Sequence, residues 1–210
     1  MTRIKICGIT NEKDALWAAS LGADYLGFNF WRGTARKVSP QSAARIIAKL
    51  PPFLLPVAIF VDEDIKNILK IVKKCGFKIV QLHGEESPQY CSQLKTMCPV
   101  EIIKAFKIKN EDSLCRLDDY AVDYYLLDAW VPGMEGGTGE TFNWEVALKA
   151  RETGKRIFLA GGLNPENVEE AVRTVKPYAV DVASGVEKSV RKKDYQKMKD
   201  FLLHARRGGV

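Results

Sequence analysis

Eight short apolar runs alternate with amphipathic stretches along this chain. The runs are Ile4–Cys7, Tyr25–Phe30, Leu55–Val61, Lys78–His83, Glu101–Phe106, Tyr124–Asp128, Arg156–Ala160 and Val180–Ser184. Each is rich in β-branched, aliphatic or aromatic residues and has the length of a strand. Their starts lie roughly 20–32 residues apart, which leaves room for one helix after each strand. In the intervening stretches apolar residues recur at helical spacing. Examples are Ala43, Ile46, Ile47, Leu50; Ile65, Ile68, Leu69, Val72; and Val168, Ala171, Val172, Val175. Ser39-Pro40, Ser87-Pro88 and Asn164-Pro165 each put a capping side chain before a proline suited to a first helical turn. Gly22, Gly76 and Gly154 suit left-handed helix exits, and Pro51, Pro99 and Pro177 mark others.

Eight such units in 210 residues predict one domain, residues 1–210, folded as a closed (β/α)8 barrel of the TIM type. An open doubly wound sheet is the structural alternative. Against it, the first strand-to-helix turn reads CGIT and lacks the G-x-G-x-x-G of dinucleotide-binding turns.

Composition narrows the classes. Apolar residues make up 46% and charged residues 28%, the balance of a soluble globular protein. No apolar run reaches the ~18 residues that span a bilayer, so no membrane partner is expected. The strand-like start, without a signal-peptide apolar region, predicts a cytoplasmic location. Five cysteines at 7, 75, 91, 98 and 115 show no CxxC spacing, and only two histidines accompany them. Reduced thiols are therefore expected rather than a disulfide framework or a metal site. The net charge of +6 fits a lysine-rich solvated surface, and it would also draw an anionic small substrate. The basic residues are dispersed, with no aromatic-basic module, so nucleic acid is not an expected partner. Monomer and homodimer stay equally open.

Chemistry in such barrels gathers at the C-terminal strand ends and the loops that follow. The polar residues there are Cys7, Asn29, Gln81 with His83, Lys107, Asp128, and Ser184 with Gly185. Strand alternation puts Lys5 with Cys7, Gln81 with His83, Leu126 with Asp128, and Asp181 with Ala183 on shared faces. In a closed barrel the first and eighth strands are neighbours, so Lys5 and Asp181 should form a buried ion pair, either structural or substrate-orienting. Gly161-Gly162 after the seventh strand and Ser184-Gly185 after the eighth suit close approach of a phosphate to backbone N–H groups. Val186–Ser189 is expected to add a short helical turn. The glycine-rich loop Ala129–Phe142, which holds Gly137, suits a cover over the site. His204, on the last helix, is expected at the solvated surface.

Several motifs then align in order along nearly the whole chain. KICGIT (Lys5–Thr10), QLHG (Gln81–Gly84), LLD (Leu126–Asp128) with GGTGETFNW (Gly136–Trp144), LAGGLNPENV (Leu159–Val168) and DVASGVE (Asp181–Glu187) together resemble phosphoribosylanthranilate isomerase. The resemblance implies an Amadori rearrangement of an aminoaldose phosphate in tryptophan biosynthesis, with no metal or organic cofactor. It implies Cys7 as general base and Asp128 as general acid. It also implies Arg36, after the second strand, as the partner of the substrate's anthranilate carboxylate, with Gln81, His83 and Gly137 lining the site. Here the sequence departs from the family's usual Ser-Pro-Arg-Tyr, reading Thr34-Ala35-Arg36-Lys37, and Arg32 is a second candidate for that carboxylate. Two other functions compete. A related barrel isomerase of histidine biosynthesis would need a carboxylate in place of Cys7 and a second phosphate site. A catalytically silent phosphosugar-binding barrel would need neither Cys7 nor Asp128.

Overall fold

The computed structural model describes residues 1–108, 110–129 and 144–209. Eight parallel strands close into a barrel in sequence order. They are β1 (Arg3–Ile6), β2 (Tyr25–Asn29), β3 (Leu55–Phe60), β4 (Ile79–Leu82), β5 (Glu101–Ile108), β6 (Tyr124–Ala129), β7 (Arg156–Ala160) and β8 (Ala179–Val182). Around them run α1 (Glu12–Leu21), α2 (Pro40–Ile47), α3 (Ile65–Cys75), α4 (Pro88–Met97), α5 (Trp144–Arg151), α6 (Val168–Val175) and α7 (Tyr195–Gly208). The closed order excludes the open sheet. β1 pairs with both β2 and β8, and Lys5 stands in register with Asp181.

The local signals explain most boundaries. Ser39 and Ser87 accept hydrogen bonds from Ser42 N and Tyr90 N, and so cap α2 and α4. Gly22 and Gly76 leave α1 and α3 at φ of 84° and 73°. Four expectations need correction. Among the described residues there are seven α-helices rather than eight. β5 and β6 are joined by two 3-10 turns, Glu111–Leu114 and Leu117–Asp119, in which only Leu117 is buried. That segment has too few apolar positions to hold an amphipathic helix on the barrel. Asn164 caps the turn before α6, accepting from Glu166 N and Asn167 N, while Asn167 is the residue that precedes the helix. The turn after β8 falls at Ser184–Val186, and the next residues form a hairpin of β9 (Glu187–Ser189) and β10 (Lys192–Lys193). His204 is half-buried, its Nδ1 2.6 Å from Pro165 O.

Two apolar layers result. The outer one lies between strands and helices and includes Ile4, Ile6, Phe28, Val80, Val180 and Phe201. The inner one fills the barrel with Tyr25, Val57, Ile59, Ile103, Leu126 and Phe158 among others. The inner layer stops below the C-terminal strand ends, and a cavity of about 490 Å³ opens above it.

Candidate active site

Each wall of this cavity comes from a strand end. Cys7 follows β1 and stays in the sheet through a hydrogen bond from its N–H to Val182 O at 2.8 Å. Gly27 on β2 makes room for it, since a Cβ there would lie 3.0 Å from Cys7 Sγ. The cavity is lined by Cys7, Asn29, Gln81, His83, Lys107, Asp128, Gly161, Gly162, Asp181 and Ser184, with Trp31 and Thr34 at its mouth. The inward-facing residues expected from alternation therefore meet in one space.

Lys5 Nζ donates to Asp181 Oδ1 at 2.9 Å, with the lysine side chain fully buried. Burial alone would lower the Lys5 ammonium. The Asp181 carboxylate, with help from Cys7, more than offsets it, and the pKa ends above 10.5. Burial likewise pushes the Cys7 thiol up. The ammonium groups of Lys5 and Lys193 pull it down, Asp181 pushes it up again, and the net lies above the ordinary thiol value.

Across the cavity His83 Nε2 lies 3.1 Å from Asp128 Oδ2, and His83 Nδ1 lies 2.7 Å from Gln81 Nε2. An amide N–H₂ can only donate, so the placed amide assigns Nδ1 as acceptor and Nε2–H as the donor to Asp128. Below, Lys104 Nζ donates to Glu86 Oε2 at 2.9 Å and to Gly84 O at 2.7 Å. Glu86 in turn accepts from Asp62 N and Gly84 N. This buried pair fixes the loops after β3 and β4 under His83, and alternation alone did not point to it.

The loops after β7 and β8 lie side by side. Gly161 and Gly162 have φ of 88° and 66°, which strain a residue with a side chain. A Cβ at Gly162 would meet nothing within 4 Å, so open space faces that backbone. At Gly185 a Cβ would fall 2.0 Å from Leu163 O, so only glycine lets the two loops touch.

Arg36 departs from expectation in its surroundings. It does not line the cavity wall. Its Nε and Nη2 donate to Glu187 Oε1 and Oε2 at 2.9 and 2.7 Å. Arg32 is exposed and borders a separate hollow with Lys37 and Glu63. Gly137, and the cover expected over 129–142, fall outside the described residues beyond Ala129. Among the described residues no group of three or more His, Cys, Asp or Glu is arranged to hold a metal ion. Nor is any helix there long and apolar enough to cross a membrane.

Comparison with known proteins matches this geometry to one family. The family model of N-(5'phosphoribosyl)anthranilate (PRA) isomerase matches residues 4–204. A curated N-(5'-phosphoribosyl)anthranilate isomerase from Geobacter sp. (strain M21) is 49% identical over 207 residues, 99% of each chain. The crystal structure of phosphoribosyl anthranilate isomerase from Thermotoga maritima superposes with a TM-score of 0.91 at 41% identity, covering 98% of this chain and 99% of that one. A phosphoribosyl anthranilate isomerase solved with reduced 1-(o-carboxyphenylamino)-1-deoxyribulose 5-phosphate gives 0.87 at 39%, with the same coverage. This chain belongs to the PRA isomerase family, the isomerases that carry out an aldose–ketose rearrangement in tryptophan biosynthesis.

Proposed function

We propose that the chain converts N-(5-phosphoribosyl)anthranilate to 1-(2-carboxyphenylamino)-1-deoxyribulose 5-phosphate with Cys7 as general base and Asp128 as general acid. One arrangement carries the proposal. Asp128 ends β6, the glycine loops follow β7 and β8, and Cys7 follows β1, so acid, anion-binding loops and base stand on four neighbouring strands around one cavity. The phosphate rests on the backbone at Gly161, Gly162, Ser184 and Gly185. Asp128 gives its proton to the ring oxygen as the C1′–O bond breaks, which leaves an iminium between C1′ and the aryl nitrogen. Cys7 takes the C2′ proton, and that electron pair forms the C1′=C2′ enolamine. In tautomerisation to the ketone C1′ takes up the proton held by Cys7 while the C2′ hydroxyl gives up its own to Asp128, so atoms and charge balance and both residues are reset without an outside reagent.

Arg36 receives the anthranilate carboxylate through the guanidinium edge that Glu187 leaves free. His83 and Gln81 orient Asp128, and Lys5 with Asp181 supports Cys7 from below. We infer a single catalytic domain. A cytoplasmic setting agrees with five free thiols. Monomer and homodimer both fit the family, since Thermotoga maritima structures include monomers generated from a dimeric enzyme.

The test is a fluorescence assay of phosphoribosylanthranilate consumption. Cys7→Ser and Asp128→Asn should each lose about 10³-fold in kcat while remaining folded. Full activity in either variant removes that residue from its role, and an inactive wild type would favour the silent phosphosugar-binding barrel.

A further inference from the structure

Glu187 closes the DVASGVE motif, yet neither proton transfer nor phosphate binding uses it. It opens the β9–β10 hairpin directly after the turn that follows β8. The hairpin is tied to the barrel mouth from several sides. Asp14 Oδ2 of α1 accepts from Lys193 N at 2.9 Å, Thr10 Oγ1 donates to Arg191 O at 3.0 Å, and Asp194 N donates to Val186 O at 2.9 Å. Two side chains are delivered inward. The Glu187 carboxylate is 5% exposed, and the Lys193 side chain is fully buried.

These two form a chain of charges that ends at Arg36. Lys193 Nζ donates to Ala183 O at 2.8 Å and to Glu187 Oε1 at 3.3 Å. Both Glu187 oxygens then accept from Nε and Nη2 of Arg36. The Arg36 stem is laid across Gly8, the residue after Cys7. A Cβ on Gly8 would fall 2.8 Å from Arg36 Cδ, and Gly8 has φ of 76°, so glycine is required there twice over. Arg36 is thus held by its stem and by one edge of its fork, close enough to Cys7 for the thiol's charge to act on the guanidinium. Nη1 has no partner among the described residues.

Charge order shows what this clamp does. Lys193, Glu187 and Arg36 follow one another in alternating sign, although burial draws the Lys193 ammonium below its ordinary value, and the free Nη1 end of Arg36 is left for a negative group. Glu187 stays ionised here. Burial pushes its carboxyl up, but the fork of Arg36 and the ammonium of Lys193 outweigh this and hold it below its ordinary value. A buried ion pair is a poor way to gain stability alone, because apolar replacements of similar volume often do as well. It is a good way to spare a long side chain the ordering it would otherwise undergo when ligand binds.

We propose that Glu187, backed by Lys193, is a positioning residue that presets Arg36 for the aryl carboxylate of the substrate. This rests on the carboxylate-binding role given to Arg36 above. The test compares KM and kcat for the natural substrate with those for the same adduct built on aniline, which lacks the carboxylate. Wild type should favour the carboxylated substrate in KM. Glu187→Gln should raise KM for that substrate about 10-fold, leave kcat within about 3-fold, and leave the aniline adduct unchanged. Glu187→Asp keeps the charge but withdraws the carboxylate by one methylene. It should show the same substrate-selective loss, and it serves should the Gln variant unfold. An unchanged KM ratio between the two substrates in the folded Glu187 variants overturns the proposal. Arg36→Met separates the two levels. If it collapses the ratio and the Glu187 variants do not, Glu187 alone loses its role. If it leaves the ratio intact, the carboxylate-binding role of Arg36 falls as well.

Discussion

The two ends of this barrel are built from the same strands and do opposite things. At the N-terminal pole the interior is closed by rings. Tyr25 and Tyr124 meet Phe158 edge-on at 5.3 and 5.5 Å, and Tyr178 packs beside Tyr124 at 5.5 Å. Arg3 and Arg156 lie over Tyr178 from the solvent side, at 5.1 and 5.2 Å. At the C-terminal pole, Cys7, Asp128 and Asp181 line open space, and the Lys193–Glu187–Arg36 chain lies among the loops around them. The change happens along single strands read every second residue: Arg3, Lys5 and then Cys7 just past β1; Tyr124, Leu126, Asp128 on β6; Arg156, Phe158, Ala160 on β7. Rings at one end provide apolar area and close packing, so that the other end can carry unpaired reach and ionisable groups. Stability and chemistry are therefore separable by height in the barrel, and that can be tested.

The sharpest break would be a crossed pair of variants. Phe158→Ala opens a cavity among packed rings and should remove about 4 kcal/mol of unfolding free energy, while the folded fraction keeps kcat within a few-fold. Cys7→Ser should do the reverse, with its denaturation midpoint little changed and turnover down about 10³-fold. Denaturant titration and the fluorescence assay, run on both, would erase the division between poles if each variant lost in both measurements.

Lys5 lies between the two levels and should report on both. Replacing it with Met leaves the Asp181 carboxylate buried without its partner, which should cost about 3 kcal/mol. The folded pKa of Lys5 lies above 10.5. The pair's contribution is thus fully present below the unfolded value and is lost as pH rises through the folded one. The stability gap between wild type and Lys5→Met should stay flat from about pH 6 to 9 and narrow only above about pH 10.5. A gap that narrows already between pH 6 and 9 would show that the ammonium is not the source of the contribution.

A smaller effect concerns the top alone. A base must be deprotonated to act, and the Cys7 thiol sits above its ordinary value of 9.0 in the free enzyme. The rate of Cys7 alkylation by iodoacetamide, which reads the thiolate alone, should therefore climb about tenfold per pH unit through neutrality, without a plateau near pH 7. A plateau near neutrality would mean that Lys5 and Lys193 outweigh burial.

How much of this was legible in the chain follows from the same geometry. Period-two alternation with a closed strand order was enough to bring Lys5 to Asp181 and to gather Cys7, Gln81, His83 and Asp128. Those residues lie on or beside strands, where sequence spacing is spatial spacing. The clamp on Arg36 was not legible. Arg36 sits on a loop and Glu187 opens a hairpin 151 residues later, and a contact between a loop and a distant hairpin carries no period. The hairpin that joins Glu187 to Lys193 resembles a helical turn in sequence, because Val186–Ser189, VEKS, lacks a β pattern of its own. The missing helix between β5 and β6 shows the converse limit, a connection whose length suited a helix but whose residues did not.

The smallest expected effect sharpens the account of the lower pole. Arg3 Nη1 donates to Tyr25 Oη at 2.8 Å and its guanidinium stacks over Tyr178, but the side chain faces solvent. Water screens that contact, so Arg3→Met should cost about 0.5 kcal/mol and leave kcat and KM unchanged. Arg3→Met also keeps an apolar stem over the rings, which isolates the cation from the packing. If the loss reached the size expected for Phe158→Ala, the lower pole would depend on its charged cap as well as its rings. The contrast between an apolar base and a charged mouth would then have to be redrawn.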